Sequence, residues 1–354
     1  MMTKIVVSTV LPSASGGASH NVFYNYIRSN GDSVLVLFSH NNIDISFLSE
    51  LNNIINVIVV TQRSKLKGTL NRVVNDYNAV EIFYFDYPAL YISNFFPTNI
   101  HKKLWIGDTR FEVAYFNALE ALNQKKINQA FLYLAKAILD LVKIKYYALK
   151  LDEIICCSLY TYERLSRLHI KSFLDDFKYN EVNLHPIEWS DSRNVIFFGN
   201  LKGLGSRSGL DNLTTILDKY SKELLTDKIR ITLFGRTTLD EDFDSITKNP
   251  IVNYRGYVNN LNDLFSSSIC AIVPISVPVG NRTRVISCLQ AGLPVLLFRQ
   301  AAFGNKYLVD GYNCIFVDND NFFSKLNKLI NDKDYWNTIS KNSSSTYNKY
   351  FRPL

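Results

Sequence analysis

The chain has 354 residues, enough for two domains of ordinary size, with 47% hydrophobic and 20% charged residues. Those are globular proportions and exclude a disordered or fibrous chain. The formal charge of +7 points to an acidic partner, such as a phosphate-bearing substrate or an anionic lipid. No helix-turn-helix, zinc or RNA-recognition signature accompanies the charge, so no specific nucleic-acid binding is expected. The five cysteines lack metal-ligand spacing, and Met1 to Lys4 lead into a strand without a signal-peptide core. The longest apolar stretch, Ala130 to Val142, is broken by Lys136 and Asp140. A cytoplasmic protein with reduced, buried thiols is the expectation.

In chain order, Ile5 to Val10 reads as a strand, and Leu11 to His20 as a small-residue loop containing Gly16 and Gly17. A helix follows to about Arg28. The two glycines allow close approach of a ligand at the helix start, but G-x-G-x-x-G spacing is absent. No acidic residue ends the next strand, Ser33 to Phe38, which argues against a dehydrogenase-type dinucleotide site. Further strands read at Val57 to Val60, Ala79 to Phe85, Lys103 to Ile106 and Glu153 to Cys157, with helical stretches between them. The first half is therefore an alternating α/β domain.

Asp86 and Asp108 follow two of these strands, where carboxylates point toward the functional crevice of a parallel sheet. Asp86, before Tyr87-Pro88, reads better as a helix cap. Asp108 and the loop residue His20 are the candidate catalytic groups. Ala114 to Leu149 reads as one or two long helices, with lysines among Phe131, Tyr133, Leu134, Ile138, Tyr146 and Tyr147. Such a helix either packs on its own domain with solvated lysines or lies on an anionic membrane surface.

A boundary falls near Asn183 to Ser192, after which the α/β pattern restarts. Val195 to Phe198 is a strand. Gly199 to Gly209 reads as a long glycine-rich loop holding Lys202 and Arg207, and a helix runs from Leu210 to Tyr220. The strand Ile229 to Phe234 ends at Gly235-Arg236, and Ile251 to Val258 is a short strand and turn. Ile269 to Val273, a loop from Val279 to Arg284, a helix to Ala291 and Val295 to Phe298 form a βαβ unit. Its loop brings helix N-terminal N–H groups beside Arg282 and Arg284, which suits a phosphate; the alternative is a structural loop with two solvated arginines. Glycine-bearing loops follow three strands, at Gly199, Gly235 and Gly280, and should gather at one edge of the sheet.

These pieces, in this order, resemble the donor domain of GT-B glycosyltransferases of the family-4-like (group 1) bacterial type. The likeness is carried by Phe197-Phe198-Gly199, Phe234-Gly235, Gly256-Tyr257-Val258, Val273-Pro274, the run from Gly280 to Val295, and Val309 to Val317. The resemblance implies an α/β fold with two Rossmann-like α/β/α domains facing each other across a cleft. Residues 1–185 would bind the acceptor and 186–335 the nucleotide-sugar donor, with 336–354 returning to the first domain. Gly256, Tyr257 and Val258 would border the nucleobase. Arg282, Thr283, Arg284 and local N–H groups would hold the diphosphate, with Lys202 or Arg207 as a further contact. Asp108 and His20 would serve on the acceptor side.

One departure stands out within the resemblance. The family's ribose-holding Glu falls at Ser287, and Val279 stands where many members carry another Glu. A serine hydroxyl would hold a ribose singly and without charge assistance. Asp318-Asn319-Asp320 imitates the metal motif of the other glycosyltransferase fold but reads as a turn, so neither metal nor other cofactor is expected. The implied activity is sugar transfer from a nucleotide sugar to a glycan or lipid-linked glycan of a bacterial surface polysaccharide, at or near the inner membrane face. A nucleotide-sugar epimerase and a non-catalytic glycan- or partner-binding protein are the alternatives.

Overall fold

The computed structural model describes residues 3–14, 18–39, 43–175, 178–181, 184–235, 241–258 and 260–353. Gly16, Gly17 and Arg236 lie outside the described residues. The chain divides between Tyr179 and Asn180 into two compact units.

The first unit alternates β1 (Thr3–Ser8), α1 (Ala18–Arg28), β2 (Val34–Phe38), α2 (Ile45–Asn52), β3 (Asn56–Val60), α3 (Arg63–Asp76), β4 (Ala79–Phe85) and α4 (Tyr87–Ser93). It continues with β5 (His101–Ile106), α5 (Arg110–Asn123), α6 (Ile127–Ala148), β6 (Glu153–Cys156), α7 (Leu159–Arg167) and β7 (Phe173–Leu174). The strands form one seven-stranded sheet in the order β3-β2-β1-β4-β5-β6-β7, and the pairings are parallel. Both faces of such a sheet are covered, so its strands are runs of buried Val, Ile, Leu and Phe rather than alternating ones. Val34–Phe38 is buried throughout. Phe23, Phe85 and Trp105 stack in sequence at 4.2 and 4.5 Å between centroids, pinning α1 to β4 and β5.

The second unit runs β8 (Asn194–Phe198), α8 (Leu204–Thr226), β9 (Arg230–Phe234), α9 (Glu241–Thr247), β10 (Val252–Tyr254), α10 (Leu261–Ser266) and β11 (Cys270–Val273). Then come α11 (Thr283–Ala291), β12 (Val295–Phe298), α12 (Arg299–Ala302), β13 (Ile315–Val317), α13 (Phe322–Asn331) and α14 (Lys333–Thr346), closed by a π-helical turn, Tyr347–Phe351. Its six strands are ordered β10-β9-β8-β11-β12-β13 and pair in parallel. In both sheets the order reverses once, beside β1 and beside β8. A crevice opens at such a switch point beyond the carboxyl ends of the strands.

One reading of the sequence changes here. Helix α8 begins at Leu204, so half of the supposed glycine loop is helical. Its glycines serve close packing: a Cβ on Gly209 would stand 3.0 Å from the Phe197 ring and 3.2 Å from Ile275. Residues 333–352 belong to the second unit, and Pro353 groups with the first. Trp336 is buried there, and its Nε1 donates to the Ile269 carbonyl at 2.7 Å. All five cysteines are buried, and burial pushes the Cys156 thiol up to about 12.

Candidate functional site

The carboxyl ends of β8, β9 and β10 are tied edge to edge. Gly199 N–H donates to Phe234 O at 3.1 Å, and Gly235 N–H donates to Gly256 O at 2.8 Å. Each of the three glycines has positive φ, +122° at Gly199, +139° at Gly235 and +68° at Gly256. A Cβ on Gly235 would overlap the Gly199 carbonyl, so the two loops pack as bare backbone. Tyr254 fixes the arrangement by donating its hydroxyl to Gly235 O at 3.1 Å. Beyond this row Tyr257 is 62% exposed and Val258 half-buried.

Helix α11 enters from the other side of the switch point. Gly280 (φ +82°) turns the chain, Arg282 is the residue before the helix, and Thr283 is its first. Arg282 donates to the Val277 carbonyl, and its Nη1 would stand 2.8 Å from a Cβ on Gly205. The Arg284 guanidinium lies over the Phe197 ring, 5.3 Å from the centroid, against bare Gly199. Its Nη2 donates to Ser206 Oγ at 2.7 Å. Nη1 is shielded from solvent and has no hydrogen-bond partner among the described residues. Burial, and then Arg282 nearby, pulls the Arg284 pKa down to about 9. A guanidinium stays charged, so Nη1 is a shielded donor of a cationic group with no acceptor among the described residues. The solvated-arginine alternative fails for Arg284.

The other sequence candidates divide. Lys202 is exposed, and Arg207 Nη1 turns back to the Lys202 carbonyl at 2.6 Å, so these two form the rim of the first turn of α8. Ser287 lies one turn along α11 from Thr283 and is 2% exposed. Its single proton is shared between Thr283 O at 3.1 Å and Glu181 Oε2 at 3.3 Å. Charge is therefore present where the sequence showed only a hydroxyl. Gln290 clamps the Glu181 backbone from both sides, accepting from its N–H at 2.7 Å and donating to its carbonyl at 2.9 Å. No local pattern marks Glu181 in the sequence; it is 106 residues from Ser287. Asp318, the suspected imitation of a metal ligand, accepts from the Asp320 and Asn321 N–H groups at 2.9 and 2.8 Å, a turn as expected.

In the first unit, His20 and Asp108 lie beyond the carboxyl ends of β1 and β5, with β4 between them. His20 Nδ1 donates to Leu11 O, so Nε2 carries the lone pair of the neutral ring. Asp108 is exposed. Asp86 caps α4, accepting from Tyr87 N–H at 2.7 Å, and does so at φ +71°, ψ 156°, a strained conformation outside glycine.

Glu112, which the sequence reading did not single out, is buried four residues after Asp108. Burial pushes its pKa up to about 7, outweighing the hydrogen bond from Thr109 and the pair with Arg164 Nε at 3.1 Å. The neutral form is thus favoured by folding. Its contribution is complete below the ordinary value of 4.5 and is lost as pH rises through about 7. Glu112→Gln should remove about 3 kcal/mol of that pH-dependent loss. Urea unfolding of both proteins across this window checks it; parallel stability curves would contradict the assignment.

Residues 192–332 match the family described as Glycosyl transferases group 1. No curated protein sequence matches the chain. Among solved structures, sucrose-phosphate synthase from Thermosynechococcus elongatus superposes with a TM-score of 0.64 at 13% identity, over 99% of this chain and 95% of that one. HepE of Anabaena, solved with UDP and glucose, gives 0.63 at 14% over 99% and 96%. TarM gives 0.69 at 9% over 99% and 96%. At such identities the likeness is one of fold. The chain thus has the GT-B fold, and residues 192–332 of its second unit match the group 1 glycosyltransferase family.

Proposed function

We propose that the protein transfers a sugar from a nucleotide sugar, without a metal ion, to a glycan or lipid-linked glycan of a bacterial surface polysaccharide. The observation that carries the reading is the half-buried Arg284 at the start of α11, its Nη1 shielded and unpartnered among the described residues, beside Gly199 at the switch point of the second sheet. A diphosphate there meets the N-terminal N–H groups of α11 and the cation together. As the sugar leaves, charge builds on the departing diphosphate, and fixed donors stabilise it more than they stabilise the intact donor. Neighbours of the same fold were solved with UDP, and one with a glycan and UDP, which supports this ligand class.

Glu181 and Ser287 complete the reading. A carboxylate one helical turn from a diphosphate repels further phosphate but accepts from a vicinal diol, as acidic residues do with nucleotide ribose. We assign Glu181 to the ribose hydroxyls. His20 and Asp108 are proposed as acceptor-side groups, one of them taking the proton of the attacking hydroxyl.

Thermal unfolding with UDP, GDP, CMP, dTDP and ADP, in chelator, tests the donor site. One nucleotide should raise the unfolding temperature, and its sugar conjugate should be consumed only with an acceptor present. Consumption without acceptor would favour the epimerase, and no stabilisation by any nucleotide the binding protein. If UDP or GDP is the nucleotide that binds, Glu181→Gln should weaken it roughly tenfold, the value of one charge-assisted hydrogen bond. Binding of the 2′,3′-dideoxy analogue should be unchanged by the substitution. Equal loss for both ligands would remove Glu181 from the ribose.

A further inference from the structure

We propose that one face of α6 is a docking surface for an anionic lipid bilayer, with the helix lying along the membrane surface. Phe131, Leu132, Ile138, Leu139 and Val142 are 60 to 74% exposed, and Leu149, just past the helix, is 88% exposed. At about 100° per residue they fall on one stripe, roughly 27 Å long from Phe131 to Leu149. The helix is already satisfied on its other side, where Ala130, Asp140, Ile144 and Tyr147 are buried. The outward stripe is therefore surplus to folding, and monomeric soluble proteins rarely expose so large an apolar area. The reading of α6 as a helix packed on its own domain accounts for one face and leaves this one unexplained.

Charge selects the occupant. Lys136 and Lys145 are exposed and, by the same helical projection, flank the stripe on opposite edges. Lys125 and Lys126 are exposed at its N-terminal end. Lys143 sits over Tyr91 and Lys150 over Tyr146, at 5.1 and 4.3 Å from the ring centroids. The carboxylate carried by α6, Asp140, is buried on the inner side, 3.9 Å from Lys143 Nζ. A second copy laid on this face would set lysine against lysine, with no outward carboxylate on α6 to pair them. Anionic headgroups supply the missing charge, while the apolar row sinks into the headgroup and acyl boundary. No described helix is long and apolar enough to cross a membrane, so the contact is lateral. The surface lies within the first unit and needs no nucleotide, so it stands or falls apart from the donor reading.

The test is co-sedimentation of the full chain with vesicles of phosphatidylcholine alone or mixed with phosphatidylglycerol, alongside light scattering. The expected result is partition at least about tenfold greater onto the anionic vesicles, given the contribution of each lysine near a charged surface. Ile138→Glu with Val142→Glu should abolish it. Lys136→Glu with Lys145→Glu should reduce it to the phosphatidylcholine level. Because all four side chains are exposed, both variants should unfold at the wild-type temperature. Three outcomes overturn the proposal: no partition onto anionic vesicles, partition indifferent to Ile138→Glu and Val142→Glu, or a solution dimer that those substitutions dissociate.

Discussion

Arg284→Met is expected to abolish stabilisation by nucleoside diphosphates while leaving the nucleotide-free protein at least as stable as the wild type. In the wild type the guanidinium is held between the Phe197 ring and Ser206, with Nη1 buried and unpartnered. An unpaired buried donor on a charged group costs about 1–3 kcal/mol or more. Methionine fills most of the same volume without that penalty, offsetting the lost bond to Ser206 Oγ. Ligand binding moves the other way. Loss of a charge-assisted contact of about 1.5–3 kcal/mol lowers affinity roughly 10- to 150-fold. Arg284→Lys should recover little, since an ammonium cannot present the planar fork that the ring and Ser206 hold in place. Calorimetric titration with the nucleotide that binds best, beside unfolding curves of the empty proteins, measures both signs. Affinity within about twofold of the wild type would place the phosphate elsewhere.

Gly235→Ala should have the largest effect on stability. Two penalties coincide: a φ of +139°, which an L side chain rarely adopts, and overlap of the new methyl with the Gly199 carbonyl. Strained backbone alone costs about 1–3 kcal/mol. The overlap adds to it, because relief requires breaking the bonds from Gly199 to Phe234 and from Gly235 to Gly256. We expect at least about 3 kcal/mol of destabilisation and loss of nucleotide binding. Gly256→Ala is the control, since a Cβ there meets nothing within 4 Å and only the positive φ of +68° is at issue. Equal and small losses in the two variants would mean that the loops part easily.

The alternating architecture was legible because parallel strands buried on both faces must be unbroken apolar runs. Val34–Phe38, Cys270–Val273 and Val295–Phe298 stand within a residue or so of where composition places them. The start of α8 was not legible, because Gly203, Gly205 and Gly209 suggest a flexible loop until one sees what they pack against. Arg284 was legible as a candidate phosphate contact from its place at a helix start, but the shielding of its guanidinium depends on Phe197 and Ser206, far away in the chain. Glu181 was invisible for the same reason. Around α6, periodicity revealed an apolar stripe but not that a second row of side chains already met the domain's needs.

The clamp on Glu181 carries a consequence beyond affinity. Residue 181 lies two positions past the break between the two units, on the segment that joins them. Gln290, which grips its backbone, belongs to the same helix whose first turn is proposed to hold the phosphates. On the proposed assignment, nucleotide occupancy and the conformation of the connector are thermodynamically linked. A nucleotide that favours the gripped connector by some factor must itself bind more tightly, by that same factor, when the connector is gripped. Tension or cleavage at the connector would then be felt as a change in donor affinity, and a bound donor would protect the connector from protease.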